Sequence, residues 1–139
     1  MIILDTNVVS AMMIEPPDAA VIKLLDERAP ESIWTTTVTL FELRFGIEYL
    51  PQSRQRSRLE RALDRALEHT FQGRMLPFDE AAAHESATLS ADRRRRGRPA
   101  EVRDTMIAGI VISRRAEFAT GNVRHFADLG VAVIDPWAT

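Results

Sequence analysis

Four oxygen-bearing side chains fall where an α/β protein binds ligands, and their combined chemistry is that of a site for a hard divalent cation. They are Asp5 behind the apolar run IIL, Glu42 and Asp104 in the first turns of two predicted helices, and Asn122 after the predicted strand EFAT. An ionised carboxylate behind a buried strand is costly unless something neutralises it. Clustered carboxylates repel one another, and oxygen ligands without cysteine favour Mg²⁺ or Mn²⁺ over zinc.

Each of these residues also has an ordinary structural interpretation. Glu42 and Thr39 have the spacing of a capping box. Asp104 is suited to stabilise the dipole of its helix. Asn122 is suited to a left-handed loop position, and Asp5 to the N-cap of the following helix. The sequence leaves these alternatives open for each residue taken singly.

The elements that must position these residues alternate between strand and helix. Short apolar segments predict strands at 2–5, 32–36, 74–78, 117–120 and 130–135. Because these segments are continuously apolar rather than alternating, they favour a parallel sheet that is covered on both faces. The expected fold is therefore α/β, a three-layer α/β/α arrangement with a central parallel sheet of four to five short strands. Ligands bind such sheets beyond the carboxyl ends of the strands.

Helical periodicity and capping residues fill the intervals between the strands. A helical turn after Asp5 ends before Pro16, and Asp18 and Asp79 are expected N-caps of later helices. The helices are predicted from Asp18 to about Arg28 and at about 37–50, 54–70, 79–97 and 101–115. The helix at 54–70 is basic and amphipathic.

Length and composition indicate one globular domain over residues 1–139. The chain is 45% hydrophobic and 27% charged, with a net charge of −2. It has no cysteine, which excludes disulfides and thiolate metal sites. No basic residue precedes MIIL, as a signal peptide would require, and the apolar run at 107–112 is far shorter than a membrane span. We therefore expect a cytoplasmic protein with no membrane partner.

The small net charge conceals an asymmetry along the chain. Residues 1–53 carry three basic and eight acidic groups, a balance of −5, whereas residues 54–115 carry fourteen and nine, a balance of +5. All basic residues except Lys23 are arginine, which suits bidentate contact with phosphate but is equally ordinary on a solvated helix face. Arginine enrichment is also what a GC-rich genome would produce.

Four segments, taken in order, resemble a known family. The chain is similar to the PIN-domain ribonucleases, and most similar to the VapC/FitB-type toxins of bacterial toxin–antitoxin pairs. The resemblance rests on MIILDTNVVS, TTTVTLFELRFGIEYL, EVRDTMIAGIVI and EFATGNVRHFADLGVAVIDPW, with LPFDEAAA between the second and third. LDTNV alone is a weak motif, but the ordered set is specific and spans nearly the whole chain.

The resemblance assigns roles by position. The family's metal-binding acids correspond to three positions of this chain, Asp5, Glu42 and Asp104. Asn122 occupies the fourth position, and Thr6 and Thr120 match small hydroxyl residues that line the site and support the ligands. Because Asn122 has one negative charge fewer than aspartate, we expect one tightly held ion and a second only with substrate. Glu42 either binds the ion or orients the attacking water.

The resemblance also implies a reaction and partners. The reaction is hydrolysis of RNA phosphodiester bonds, with Mg²⁺, or Mn²⁺ in its place, acidifying the attacking water and neutralising charge on the phosphate. The implied partners are an RNA substrate, a small cognate antitoxin that blocks the acidic groove, and a second copy of the chain in a homodimer. The arginines of 54–65 and of the run Arg93–Arg96 could hold RNA, although that run could equally complement a helix C-terminus. Few exposed aromatic residues are evident for stacking on bases.

Two other classes compete with this interpretation. A phosphatase of the haloacid-dehalogenase type needs a second acid where this chain has Asn7 and a downstream lysine, whereas the only lysine is Lys23. A non-catalytic PIN-fold module that binds RNA or protein without cutting is the stronger alternative. The presence of all three principal acids argues against loss of activity without proving activity.

Overall fold

The computed structural model describes residues 1–138 and contains a five-stranded sheet in which all neighbouring strands are parallel. The strand order is β3-β2-β1-β4-β5. The strands are β1 (Ile2–Leu4), β2 (Ile33–Thr36), β3 (Met75–Leu76), β4 (Glu117–Ala119) and β5 (Val133–Ile134). The predicted parallel sheet of short strands is confirmed, although β3 and β5 are shorter than the apolar segments that predicted them.

The helices cover both faces of this sheet. Their bounds are α1 (Thr6–Met13), α2 (Ala19–Asp26), α3 (Thr37–Tyr49), α4 (Arg54–Arg65), α5 (Glu80–Arg95) and α6 (Val102–Arg114). Helix α4 continues into a wider helical turn at Ala66–Phe71, and a short 3₁₀ turn occupies Val123–Phe126. The predicted three-layer α/β/α fold is therefore confirmed.

The buried side chains form one core on each side of the sheet. In β1, Ile2 and Leu4 join the core beneath α1 and α2, whereas Ile3 joins the core beneath α5 and α6. This alternation follows from the period of two in a β-strand. In the second core the rings of Phe118 and Phe126 meet edge to face, with centroids 4.8 Å apart. The central strand is thus buried on both faces, which explains its continuous apolar sequence.

Local caps set most of the helix boundaries. Asp18 accepts hydrogen bonds from the backbone N–H groups of the first turn of α2, and Asp79 accepts one in α5, both as predicted. Helix α3 begins earlier than the capping box required, because Thr36 is its N-cap and accepts a hydrogen bond from the backbone N of Thr39 at 3.1 Å. The interpretation of Thr39 and Glu42 as a capping box is therefore wrong.

Helices α5 and α6 pack closely because α6 carries a glycine at their contact. A Cβ atom on Gly109 would overlap the Ser86 side chain and the backbone carbonyl oxygen of Ala82. The Ser86 hydroxyl donates to the backbone carbonyl of Thr105 at 2.9 Å. This contact fixes α6, whose first turn carries Asp104. Among residues 1–138, no helix has the length and apolar character needed to cross a membrane.

Candidate active site at the carboxyl edge of the sheet

The register of the sheet brings Asp5 and Thr120 together. Leu4 lies opposite Ala119 in the parallel pair of β1 and β4, and the backbone N of Asp5 donates to the Ala119 carbonyl at 2.9 Å. The residue after each strand therefore reaches the same edge. There the Thr120 hydroxyl donates to Asp5 Oδ2 at 2.7 Å. Both side chains are buried, with Asp5 only 3% exposed.

Asp5 also occupies the N-cap position of α1. Its Oδ1 accepts a hydrogen bond from the backbone N of Thr6 at 2.8 Å, and its Oδ2 accepts one from Asn7 Nδ2 at 3.3 Å. The side-chain oxygen of Asn7, Oδ1, accepts from the backbone N of Gly121 at 3.0 Å, which ties the start of α1 to the loop after β4. Asp5 is thus an N-cap by position, and the cap holds its carboxylate at the edge of the sheet.

Glu42 joins this cluster through the hydroxyl of Thr6. Thr6 Oγ1 donates to Glu42 Oε1 at 2.9 Å and lies 3.1 Å from Thr39 Oγ1. Glu42 is half-buried in the second turn of α3. The structure therefore links Asp5 to Glu42 through their shared neighbour Thr6.

Asp104 lies in the first turn of α6, as its interpretation as a dipole-stabilising acid requires. Its backbone N donates to Glu101, the N-cap residue, at 3.2 Å. Its side chain is 28% exposed, and Oδ2 lies 3.8 Å from His125 Nδ1. The helix position and the site position are compatible, because the first turn of α6 borders the same edge as Asp5.

Asn122 is exposed and is connected to the cluster through its backbone. Its backbone N donates to Thr120 Oγ1 at 3.0 Å, and its backbone carbonyl accepts from the backbone N of His125 at 3.0 Å. Its φ angle is −100°, so the left-handed interpretation is wrong. Within residues 1–138 its side chain makes no hydrogen bond, which leaves the amide free toward solvent.

The charges of Glu42 and Asp104 act on Asp5. Burial raises the pKa of Asp5 from 3.8 to about 6, against the opposing effects of its hydrogen bonds from Thr120 and Thr6. The negative charges of Asp104 and Glu42 raise the same pKa further. A carboxylate that is buried and repelled in this way is stabilised by any cation that reaches it.

Two basic residues, Arg103 and His125, lie beside Glu42 and Asp104. Arg103 lies 3.9 Å from Glu42 Oε2 and donates to Glu101 Oε1 at 3.1 Å. The hydrogen bond to Glu101 and the charge of Glu101, followed by the charge of Glu42, raise the pKa of Arg103. His125 takes the corresponding place beside Asp104.

The donor set fits a hard divalent cation by its chemistry. It consists of carboxylate oxygens whose repulsion a cation would relieve, with hydroxyl groups holding two of them. In the conformation described for residues 1–138, no three His, Asp or Glu side chains are grouped closely enough to chelate an ion. Glu42 and Asp104 would therefore adjust their side chains, which are half-buried rather than locked in the core.

Sequence reasoning missed several contacts of this site. Asn7, Thr39, Arg103 and His125 touch its acids or hydroxyls, although none was singled out as a site residue. Asn7 and Arg103 adjoin predicted site residues in LDTN and RDT, and that adjacency is the only sequence signal. Thr39 and His125 are brought in by tertiary packing alone.

The run Arg93–Arg96 divides into two kinds of arginine. Arg93 is 4% exposed and donates to both carboxylate oxygens of Asp128, at 3.0 and 2.8 Å, and to the backbone carbonyl of His125 at 2.6 Å. Arg96 pairs with Asp92 at 2.6 Å. The hydrogen bond from Arg93 lowers the pKa of Asp128. Arg93 and Arg96 therefore have structural partners.

The expectation that few aromatic residues are exposed is wrong. Phe41, Phe45 and Tyr49 recur every four residues along α3 and are 52%, 55% and 80% exposed. Their ring centroids are about 6 Å apart along the row, at 6.2 and 6.0 Å. The row begins next to Glu42. The three rings therefore form a continuous apolar strip on the exposed face of α3.

Comparison with known sequences finds a family model and several relatives that match nearly the whole chain. The family model for the PIN domain matches residues 2–131. The chain is 35% identical to a plasmid stability protein, StbB, of Pseudomonas syringae pv. tomato over 137 residues, which cover 99% of each protein. It is 32% identical to the VapC ribonuclease Y4jK of Sinorhizobium fredii over 99% of this chain and 98% of the relative. It is 31% identical to the toxin FitB of Neisseria gonorrhoeae over 99% of each protein.

Solved structures of similar proteins have the same fold as this chain. The structure of FitAcB from Neisseria gonorrhoeae matches with a TM-score of 0.83 and 31% identity, covering 100% of both chains. VapBC-5 from Mycobacterium tuberculosis, a member of the VapBC family of toxin–antitoxin systems, matches with a TM-score of 0.71 and 27% identity over 95% of both chains.

Proposed function

This chain belongs to the PIN-domain family, in its VapC and FitB branch, and we propose that it is a metal-dependent endoribonuclease and the toxin of a toxin–antitoxin pair. The observation that carries the proposal is the buried carboxylate of Asp5, which is held at the carboxyl edge of a parallel sheet and repelled by Asp104 and Glu42. Such an arrangement is costly for folding. It is understandable in a protein that uses these acids to attract a cation.

Mg²⁺, with Mn²⁺ as a substitute, is the ion we propose, with Asp5, Asp104 and Glu42 as its ligands. When bound, such an ion acidifies water and neutralises charge that develops on phosphate oxygens during hydrolysis. The neutral Asn122 adds no charge to the set, which favours one tightly held ion.

The remaining polar residues act by positioning. Thr120 donates to Asp5 from the end of β4, and Thr6 donates to Glu42 from the start of α1. Asn7 bridges Asp5 and the loop after β4. These bonds fix the direction of the carboxylates, as supporting contacts do around metal ligands generally.

We propose two protein partners, a cognate antitoxin and a second copy of this chain. The relation to VapBC-5, from a toxin–antitoxin family, supports the antitoxin. The exposed aromatic row of Phe41, Phe45 and Tyr49 supplies apolar surface that protein contacts would cover. Light scattering tests the homodimer, because the dimer has twice the mass of the 15.7 kDa chain. A clean monomer over a wide concentration range would contradict it.

The activity is tested with purified protein and total cellular RNA, with Mg²⁺, with Mn²⁺ and with excess EDTA. We expect cleavage only with a divalent ion and its loss in Asp5→Asn, whereas Asp64→Asn, the same change on the exposed face of α4, leaves it intact. Cleavage undiminished in EDTA would remove the metal mechanism. RNA binding without cleavage under every ionic condition would favour the non-catalytic module.

A further inference from the structure

A cavity of about 320 Å³ adjoins the candidate active site. It lies where the C-terminal end of α5, the N-terminal end of α6 and the turn Val123–Phe126 meet. Asp104 and His125 form part of its wall, so the cavity and the acidic cluster share a border. Its other charged lining residues are Arg93, Arg98, Glu101, Arg124 and Asp128.

The acids in the wall other than Asp104 are already neutralised. Asp128 accepts two hydrogen bonds from Arg93, at 3.0 and 2.8 Å. Glu101 accepts one from Arg103 at 3.1 Å and caps α6 through the backbone N–H groups of its first turn. These carboxylates therefore contribute little free negative charge to the cavity.

Two cations in the wall are not neutralised. Arg98 and Arg124 are exposed, and neither side chain has an ion pair or a hydrogen bond within residues 1–138. Many other arginines of the chain are paired, including Arg28, Arg56 and Arg96. The free charge around the cavity, Asp104 apart, is therefore positive.

A buried donor of the wall also lacks a partner. Nη1 of Arg93 is the one buried side-chain nitrogen or oxygen atom in the described part of the chain that has no hydrogen bond. An unpaired buried donor on a charged group costs free energy. The charge of Arg93 is matched by Asp128, so the free positive charge of the wall comes from Arg98 and Arg124.

We propose that this cavity binds a phosphate of the RNA backbone next to the phosphate that is cleaved, with Arg98 and Arg124 as its ligands. The proposal rests on the ribonuclease function proposed above. A polyanion approaching three carboxylates is repelled, and guanidinium groups bordering Asp104 offset that repulsion while forming bidentate bonds with phosphate. Arg98 and Arg124 are binding residues for the strand and take no part in the bond that breaks.

The test uses a fluorescently labelled, mixed-sequence single-stranded RNA and protein carrying Asp5→Asn, so that binding is measured without cleavage. Anisotropy titrations at several salt concentrations give the slope of log affinity against log salt. Arg98→Gln and Arg124→Gln should each weaken binding and reduce the slope by about 0.7, and the double variant by about 1.4, as expected for phosphate contacts with single strands. Arg115→Gln, which removes the same charge between α6 and β4 at the opposite edge of the sheet, should leave the slope unchanged.

The outcomes separate this inference from the proposed function. If the Asp5→Asn protein binds RNA and the otherwise unmodified protein cleaves it, but the arginine variants match Arg115→Gln, the phosphate site is wrong and the nuclease stands. An equal loss in all variants would show that only total charge matters and would also overturn the site. In the cleaving enzyme, the site predicts a raised KM with kcat little changed.

Discussion

Replacing Asp5 by asparagine should stabilise the metal-free protein while abolishing its activity. The Asp5 carboxyl has a pKa of about 6 in the folded chain against 3.8 as its reference. At neutral pH the folded protein therefore holds an ionised carboxylate in buried surroundings that disfavour its charge. A shift of about two pKa units corresponds to roughly 3 kcal/mol.

The amide recovers only part of this free energy. Asparagine can keep an oxygen for the backbone N–H of Thr6, but its NH₂ group then faces Asn7 Nδ2 and the Thr120 hydroxyl, which donate to Asp5 Oδ2. Thr120 can rotate to accept, whereas the Asn7 contact is lost, at a cost of about 1 kcal/mol. The expected net gain is about 2 kcal/mol in the free energy of unfolding at pH 7–8.

The effect of Asp5 on stability depends on pH. Because the folded pKa of Asp5 is raised, the stability that its neutral carboxyl contributes is fully present below about pH 4 and is lost as pH rises through about 6. Urea unfolding in EDTA should show the Asp5→Asn advantage growing across that interval, while Asp64→Asn follows the unsubstituted protein. Destabilisation by Asp5→Asn at pH 8, or a difference that does not change with pH, would refute the reasoning.

Three further predictions concern the supporting residues. Arg93→Met should destabilise the protein by roughly 2 kcal/mol in urea unfolding, because the hydrogen bonds from Arg93 to Asp128 and to the His125 carbonyl are lost, whereas Arg94→Met on the exposed face of α5 should have little effect. Since Arg93 holds the pKa of Asp128 below its usual range, the stability from this pair should be present above about pH 4 and decline as pH falls further; Asp128→Asn should remove that decline. Thr6→Val should weaken Mn²⁺ binding about tenfold, measured calorimetrically, with an unchanged circular dichroism spectrum, because Glu42 loses the hydroxyl that orients it. An unaltered affinity in Thr6→Val would contradict that positioning role.

The parts of the fold that sequence predicted are those governed by local rules. Asp18 and Asp79 are caps that act within their own helical turn, and the apolar run of β1 reports burial on both faces. Prediction failed where a distant partner decides. The sequence suggested that Arg93 is a solvated arginine at the C-terminus of a helix. Arg93 is buried instead, because it pairs with Asp128, 35 residues away. The spacing of Thr39 and Glu42 suggested a capping box, but the N-cap of α3 is Thr36, at the end of β2.

The site residues also divide into those that local rules predict and those that depend on distant partners. Asp5 was predictable because the end of a central parallel strand is fixed by the sheet itself. The hydroxyls of Thr6 and Thr120 were placed by resemblance to a family, and the hydrogen bonds they make depend on the register of β1 with β2 and with β4. No property of a single segment reveals that register.

The charges around the site give a consistent account of how an acidic cluster meets an anionic substrate. Asp5 is buried and costly, and its repulsion by Asp104 and Glu42 leaves a strong preference for a nearby cation. Arg103 supplies part of that charge 3.9 Å from Glu42, and the His125 ring lies 3.8 Å from Asp104, but neither is hydrogen-bonded to these acids. A divalent ion must displace these weak contacts, at a small cost for exposed pairs, and gains the buried carboxylate. The basic side chains stay at the rim in either case, where a phosphate backbone can use them.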